Sequence, residues 1–469
     1  MNPIPEVAEF DPTLMARYDG PAPRYTSYPT APQFHSGFGE PQLREAIEAS
    51  NRALPPRALS LYVHVPFCWS PCFYCGCTRI ITHDAGRADV YLDYLQREID
   101  LTAPLFGADR RVHQLHLGGG TPNFLDIPRI ASLLRGLANH FQFAEDDGGM
   151  EASIEVDPRF ADFEYVRALG ALGFNRISIG VQDFDPAVQA AVNRVQSLAQ
   201  TAAVVAGARA ADFRSVNIDL IYGLPKQTLG GFAHTLDETV ALAPDRVAVY
   251  GYAHLPRMFK AQRQIESGDL PDPATRLQLL RLALEKLVGA GYVYIGMDHF
   301  ARPGDELVAA QREGTLQRNF QGYSTRGDCD IVGLGMSAIG RIGDSYSQNP
   351  RDLAGYYLAL DHERLPVARG IRLGADDLIR RAAIGDLMCH GRLDLRAFGE
   401  RHGMVFADYF AAELAAMQRL VDDGLVELDP RVLRVTPRGR FLLRNVALVF
   451  DAYAPAEAQA AQPRYARSI

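Results

Sequence analysis

Four cysteines fall within ten residues, Cys68-Trp69-Ser70-Pro71-Cys72-Phe73-Tyr74-Cys75-Gly76-Cys77, and only Cys329 and Cys389 occur elsewhere in the chain. Such a concentration of soft thiols points to metal ligation. Three thiolates separated by three and then two residues can wrap one compact cluster and leave a metal corner without a protein ligand, and an open corner is where chemistry happens. Zinc is the alternative, but structural zinc sites normally pair two Cys-x-x-Cys elements from separate places. Here all four cysteines follow a single apolar run. A redox dithiol would need only two of them. Spacing and softness therefore favour iron and sulfide over zinc.

The run in front of the cysteines, residues 59–66, reads as a strand and opens a repeated strand-then-helix rhythm. Further strands are expected at 112–118, 152–157, 176–182, 215–222 and 246–253, with helices at 87–103, 127–141, 160–172 and 197–210 between them. Such alternation implies a parallel sheet with right-handed crossovers. Six β/α units fit a partial, TIM-like (β/α)6 barrel better than a complete eightfold one. Buried parallel strands usually read as apolar runs, and Glu155, Gln182 and Asp219 break that pattern near the C-terminal ends of their strands. Any one of them could cap a helix or pair with an arginine. Three at the end where barrels place their chemistry point to a site.

The chain of 469 residues exceeds the size of a single hydrophobic core. An arm rich in Pro, Gly and Tyr is expected over 1–57, the barrel over 58–290, an extension and linker over 291–370, and a mainly helical, winged-helix-like domain over 371–455. A frayed Ala-rich tail follows at 456–469. The C-terminal helices are expected near 375–389, 393–402 and 406–422, before a two-stranded wing at 424–428 and 432–435. Glu413, Asp422 and Asp423 make the last helix a poor reader of DNA, so packing or a lid is the better role.

A formal charge of −8 argues against sequence-independent attachment to nucleic acid or anionic lipid, so an anionic substrate would need a local arginine cluster. Met1–Phe10 has no basic or apolar signal region and no run is long enough for a membrane span, so a cytoplasmic location is expected. In that reducing compartment clustered cysteines serve metals or catalysis.

With Cys-x-x-x-Cys-x-aromatic-Cys after the first strand and Gly118-Gly119-Gly120-Thr121-Pro122 after the second, the chain resembles the radical S-adenosylmethionine (SAM) enzymes. The resemblance implies that Cys68, Cys72 and Cys75 hold a 4Fe–4S cluster and that SAM, chelating the fourth iron, is cleaved reductively to a 5′-deoxyadenosyl radical. Five more features narrow it: Cys77, the arm segment Pro23-Arg24-Tyr25-Thr26-Ser27-Tyr28-Pro29-Thr30, Asn217-Ile218-Asp219-Leu220, Gly296-Met297-Asp298-His299-Phe300-Ala301 and Arg318-Asn319-Phe320-Gln321-Gly322-Tyr323. Together they are similar to the oxygen-independent coproporphyrinogen III oxidases over residues 15–450.

That resemblance implies oxidative decarboxylation of two propionates of coproporphyrinogen III to vinyl groups, with two SAM molecules in one barrel. Matched by motif, Tyr62, Gly119, Glu155 and Ile339 would contact the cluster-bound SAM. Tyr74, Gly120, Thr121, Gln182, Arg194, Asp219 and Ala253 would contact the second. Tyr74 stands where these relatives have Phe, so its hydroxyl needs a partner or solvent. Cys77 marks the oxidase branch and has a possible redox role. Arg24, Lys226 and Arg318 are candidates for the substrate carboxylates, although each could equally be a solvated charge. A reducing donor such as flavodoxin or ferredoxin and a monomeric state are further expectations. The competing reading is a non-catalytic haem chaperone of the same subfamily, which typically lacks the fourth cysteine and the arm and carries a His-Asn…Tyr-Trp motif. The only tryptophan here is Trp69.

Overall fold

The structure is a computed structural model describing residues 8–144 and 150–454. The readings made for the first seven residues and for the 456–469 tail lie outside the described residues.

One mixed sheet of twelve strands organises the molecule. Its strands are β1 Leu59–Val65, β2 Val112–Gly119, β3 Glu151–Val156, β4 Arg176–Gln182, β5 Ser215–Tyr222, β6 Arg246–Gly251, β7 Val293–Gly296, β8 His299–Ala301, β9 Asp330–Leu334, β10 Ile339–Ile342, β11 Ser345–Gln348 and β12 Arg369–Arg372. Their order is β12-β11-β10-β9-β1-β2-β3-β4-β5-β6-β8-β7. The six strands from β1 to β6 are parallel, as the alternation predicts. Helices α1 Gly86–Thr102, α2 Ile127–His140, α3 Phe163–Ala171, α4 Leu198–Ala210, α5 Leu229–Ala241 and α6 Pro273–Gly289 accompany them. A seventh parallel strand, β9, lies on the free side of β1, with Tyr62 opposite Gly333. The sheet does not close: β12 and β7 are its edges.

Alternation along the strands decides what faces inward. Leu61, Val63, Leu115, Leu117, Ile154, Ile177, Ile179, Val216, Ile218 and Val247 are fully or almost fully buried in the main core. The opposite face of the same strands is polar. Ser60 donates to Gln114 at 2.8 Å, Gln114 to Glu151 at 3.1 Å, and Ser178 to Asp219 at 2.8 Å, while Arg176 and Arg246 share Glu306. The polar intrusions seen in the sequence are thus the upper rungs of a polar lumen, whose lower part holds a cavity of about 170 Å³. Mutual hydrogen bonding makes so much buried polarity tolerable.

The arm is anchored to the C-terminal layer. Leu14, Met15, Tyr25 and Tyr28 share a core with Leu387, Phe410 and Phe450. Arg444 donates to the carbonyls of Ala22 and Pro23. In that layer the wing has three strands instead of two, because Arg392–Asp394 pairs with Val432–Val435 beside Val426–Leu428. The helix expected over 406–422 is interrupted at Phe410, where φ −105° and ψ 31° leave the helical region. Among the described residues no helix is long and apolar enough to cross a membrane.

Candidate active site

The cysteine loop lies at the C-terminal end of β1, and one side chain ties it together. Arg79 donates to the carbonyls of Cys75 at 3.1 Å, Cys77 at 3.4 Å and Cys72 at 3.3 Å, so a single planar fork gathers the loop backbone. Strand β2 approaches from the other side. The Gly120 amide donates to Val65 O at 2.8 Å, and a Cβ at Gly120 would lie 2.6 Å from Pro66 O. Only glycine permits that approach.

Each of three sulfurs has its own donor. Thr121 Oγ1 lies 3.2 Å from Cys68 Sγ, Arg194 Nη1 3.4 Å from Cys72 Sγ, and the Cys77 amide 3.4 Å from Cys75 Sγ. Arg159 adds a longer contact of 3.6 Å to Cys72. A hydrogen bond from Cys77 lowers the Cys75 thiol to about 6 against the opposition of burial, whereas burial pushes Cys68 up to about 11. Asp157, 2.8 Å from Arg194 and 2.7 Å from Arg159, fixes both guanidiniums.

The remaining wall comes from the lumen. Burial opposes ionisation of Glu155, yet its carboxylate is held below its ordinary range by His116 at 3.1 Å, by the Gly119 amide at 3.4 Å and by the field of His64. His116 stacks on Tyr62 with ring centroids 5.7 Å apart and takes a bond from Ser153 at 2.5 Å. Tyr62 donates to His64, whose other nitrogen bonds Thr78 O at 3.1 Å. These histidines are therefore structural links. Asp219, bonded by Ser178 and Asn217, is pushed up to about 6 by burial and by the like charge of Glu155. At Gln182 the strand shifts register and φ is +70°, a strained conformation that marks a site.

A cleft of about 180 Å³ joins Cys68, Cys72, Tyr74, Cys75, Cys77, Gly119, Gly120, Thr121, Glu155, Gln182, Arg194 and Asp219. Other positions named from the sequence lie outside its walls. Tyr62 stands behind Glu155 against His116. The Ala253 carbonyl is clipped by Gln262, which also bonds Tyr74 O at 2.9 Å. Ile339 packs against Gly333, the register partner of Tyr62. Arg24 is ion-paired with Asp298 and lies over the Tyr250 ring. Arg318 donates to the Arg24 carbonyl at 3.3 Å. Lys226, half exposed, has Asp269 at 3.8 Å.

The sequence reading passed over Arg79, Asp157, Arg159 and Gln262. For the first three a signal existed: Arg79 stands two positions after Cys77, Asp157 two after Glu155, and Arg159 two after Asp157. For Gln262 there was none, since its partners are distant in the chain.

The donor set suits an iron–sulfur cluster. Three thiols on one loop, each met by an N–H or O–H donor, face a cleft that glycines keep open. Among the described residues no three Cys, His, Asp or Glu side chains converge on a single-ion position.

Comparison with known proteins agrees. Residues 62–239 match the radical SAM superfamily and residues 373–442 the HemN C-terminal domain. The oxygen-independent coproporphyrinogen III oxidase of Pseudomonas aeruginosa is 48% identical over 450 residues, 96% of this chain and 97% of that protein. Its Escherichia coli counterpart is 49% identical over 445 residues, 95% and 96% of the two chains. The solved structure of coproporphyrinogen III oxidase (HemN) from Escherichia coli, a radical SAM enzyme, superposes with a TM-score of 0.91 at 47% identity, covering 96% of this chain and all of that one.

Proposed function

This chain belongs to the oxygen-independent coproporphyrinogen III oxidases of the radical SAM superfamily, and from that membership we propose which of its residues bind, orient and shield the reactants. The enzyme carries out the anaerobic oxidative decarboxylation of two propionate side chains of coproporphyrinogen III to vinyl groups, forming protoporphyrinogen IX in haem synthesis. Its cofactors are one 4Fe–4S cluster and two molecules of SAM. When bound, they supply the radical that removes hydrogen from a propionate side chain.

Cys68, Cys72 and Cys75 hold the cluster, and the donors on their sulfurs offset the negative charge of the thiolates. Arg79 keeps the loop in one shape. Gly119, Glu155, Tyr62 and Ile339 serve the cluster-bound SAM, Tyr62 by bracing the His116–Glu155 pair and Ile339 through the neighbouring strand. Tyr74, Gly120, Thr121, Gln182, Arg194, Asp219 and Ala253 serve the second SAM. Glu155 and Asp219 present carboxylates to the donors of these ligands, while the aromatic walls of Tyr74 and Trp69 exclude water.

Arg24 and Arg318 belong to the substrate side, where arginine forks suit propionates; Lys226, paired with Asp269, is the weakest of the three candidates. Cys77, exposed beside a cluster ligand, is available to an electron carrier and to redox exchange. A small reducing protein such as flavodoxin or ferredoxin fits that surface. Action as a monomer in a reducing cytoplasm completes the reading, and six unpaired cysteines suit that compartment. The functional division is an arm over 1–57, a barrel over 58–290, an extension over 291–370 and a helical cover over 371–455.

The observation that carries this reading is the single cleft shared by the cysteine loop, Glu155 and Asp219. It is tested by anaerobic reconstitution with iron and sulfide, followed by SAM, a low-potential reductant and coproporphyrinogen III. Formation of 5′-deoxyadenosine and vinyl product is expected; absence of both overturns the reading.

A further inference from the structure

The mouth of the barrel, one layer beyond the cysteine cleft, gathers the guanidiniums of Arg24, Arg276 and Arg444 with the carboxylate of Asp298 around Tyr222. Strands β5 and β6 end at Tyr222 and Gly251, which pair in register. Tyr222 is three residues beyond Asp219 on β5, roughly 10 Å along the strand. The charges acting on its hydroxyl are those of Arg276, Asp298, Arg24 and Arg444. Among the strongest of them are three guanidiniums and one carboxylate.

Their partners distinguish them. Arg24 has Asp298, and Arg444 has the carbonyls of Ala22 and Pro23. Arg276, near the start of α6, has no ion pair among the described residues, and its buried Nε has no hydrogen-bond partner. Its guanidinium lies 5.7 Å from the centroid of the Tyr222 ring. It packs closely on the end of β6: a Cβ at Gly251 would lie 3.2 Å from Nη2, tighter than ordinary contact, while one at Gly223 would meet Nε at an ordinary 3.5 Å.

A partly buried cation with an orphan donor weakens the free protein unless an anion completes it. A guanidinium fork matches a carboxylate in shape and charge. Arg276 is not among the residues that line the cysteine cleft with Asp219. A tetracarboxylate macrocycle with one propionate at the reacting centre leaves the others to reach the rim.

We propose that Arg276 is a substrate-binding residue that holds a non-reacting propionate of coproporphyrinogen III and thereby orients the macrocycle over the cleft, an inference that rests on the function proposed above. SAM also carries a carboxylate, so the test must separate the two sources.

Full-length protein is reconstituted with its cluster, and the affinities for coproporphyrinogen III and SAM are measured separately by anaerobic equilibrium dialysis. In Arg276→Gln, affinity for the porphyrinogen falls roughly 10- to 100-fold, while SAM affinity and substrate-independent formation of 5′-deoxyadenosine stay within about twofold of wild type. Arg276→Lys, which keeps the charge and loses the fork, falls between the two. Porphyrinogen affinity within about twofold of wild type in both variants overturns the proposal, as does a loss confined to SAM. If the Gln variant fails to hold its cluster, the Lys variant decides by the same comparison. Wild-type protein that converts coproporphyrinogen III while both variants bind it normally removes only the role of Arg276. Wild-type protein that forms neither product removes the functional reading itself.

Discussion

Arg194 reaches Cys72 across the cleft: its Nη1 lies 3.4 Å from the Cys72 sulfur and 2.8 Å from Asp157, and its Nη2 donates to Gly180 O at 2.5 Å. One guanidinium therefore joins the cysteine loop to the ends of β3 and β4. A charge-assisted donor on a cluster thiolate stabilises the more negative, reduced state. In Arg194→Gln the reduction potential of the reconstituted cluster is expected to shift to more negative values by anaerobic potentiometry. Stability should fall by about 2 kcal/mol, since Arg159 remains on Asp157. An unchanged potential would show that the contact does not tune the cluster.

Arg79 acts on the loop and not on the barrel. Arg79→Met removes its contacts with the Cys72, Cys75 and Cys77 carbonyls. Iron bound per chain after reconstitution should fall by more than about half, because the unbound loop loses its preorganisation. Cys77→Ala should retain the wild-type iron content and Cys75→Ala should lose it. Equal losses in the two cysteine variants would make Cys77 a ligand.

Gly120 is a packing requirement. A methyl group there meets the Pro66 and Phe67 carbonyls at 2.6 and 2.9 Å, and these are backbone atoms. Gly120→Ala should lower stability by about 1–3 kcal/mol in chemical denaturation and impair SAM binding by displacing the cysteine loop. Wild-type values for both would mean that β1 and β2 separate without penalty.

Glu98 makes stability depend on pH. Buried in α1, its carboxylate accepts from the Gly335 amide at 2.6 Å, Tyr356 at 2.6 Å and Asn349 at 2.7 Å, yet burial raises it from 4.5 to about 7. The folded state holds this proton more tightly than the unfolded one. The stabilisation is thus complete below about 4.5 and declines as pH rises to about 7, by roughly 3 kcal/mol in total. Glu98→Gln should remove that part of the slope of the urea midpoint between pH 5 and 7.5 in the iron-free protein. A slope identical in the two proteins would assign it to other groups.

The strands, most of the helices and the cysteine loop were legible in the sequence because the signals are local. Apolar periodicity placed β1 to β6 within one or two residues, and chelate spacing singled out Cys68, Cys72 and Cys75. Glu155, Gln182 and Asp219 were visible as polar breaks, but the lumen they belong to was not. Its lower rungs, Gln114, Glu151, Arg176 and Arg246, stand at strand starts, where polarity reads as an ordinary boundary.

The sequence alone therefore determined the kind of chemistry and the run of secondary structure, since both reside in neighbours along the chain. Only the tertiary structure decided which charges are spent and which remain available. β9 joins β1 across about 270 residues, Arg24 is paired with Asp298 and Lys226 has Asp269, while Arg276, unremarkable in its helix, has no ion pair among the described residues. Pairing of buried charges depends on which side chains the parallel register brings within a few ångströms of one another, and no spacing along the chain encodes that distance.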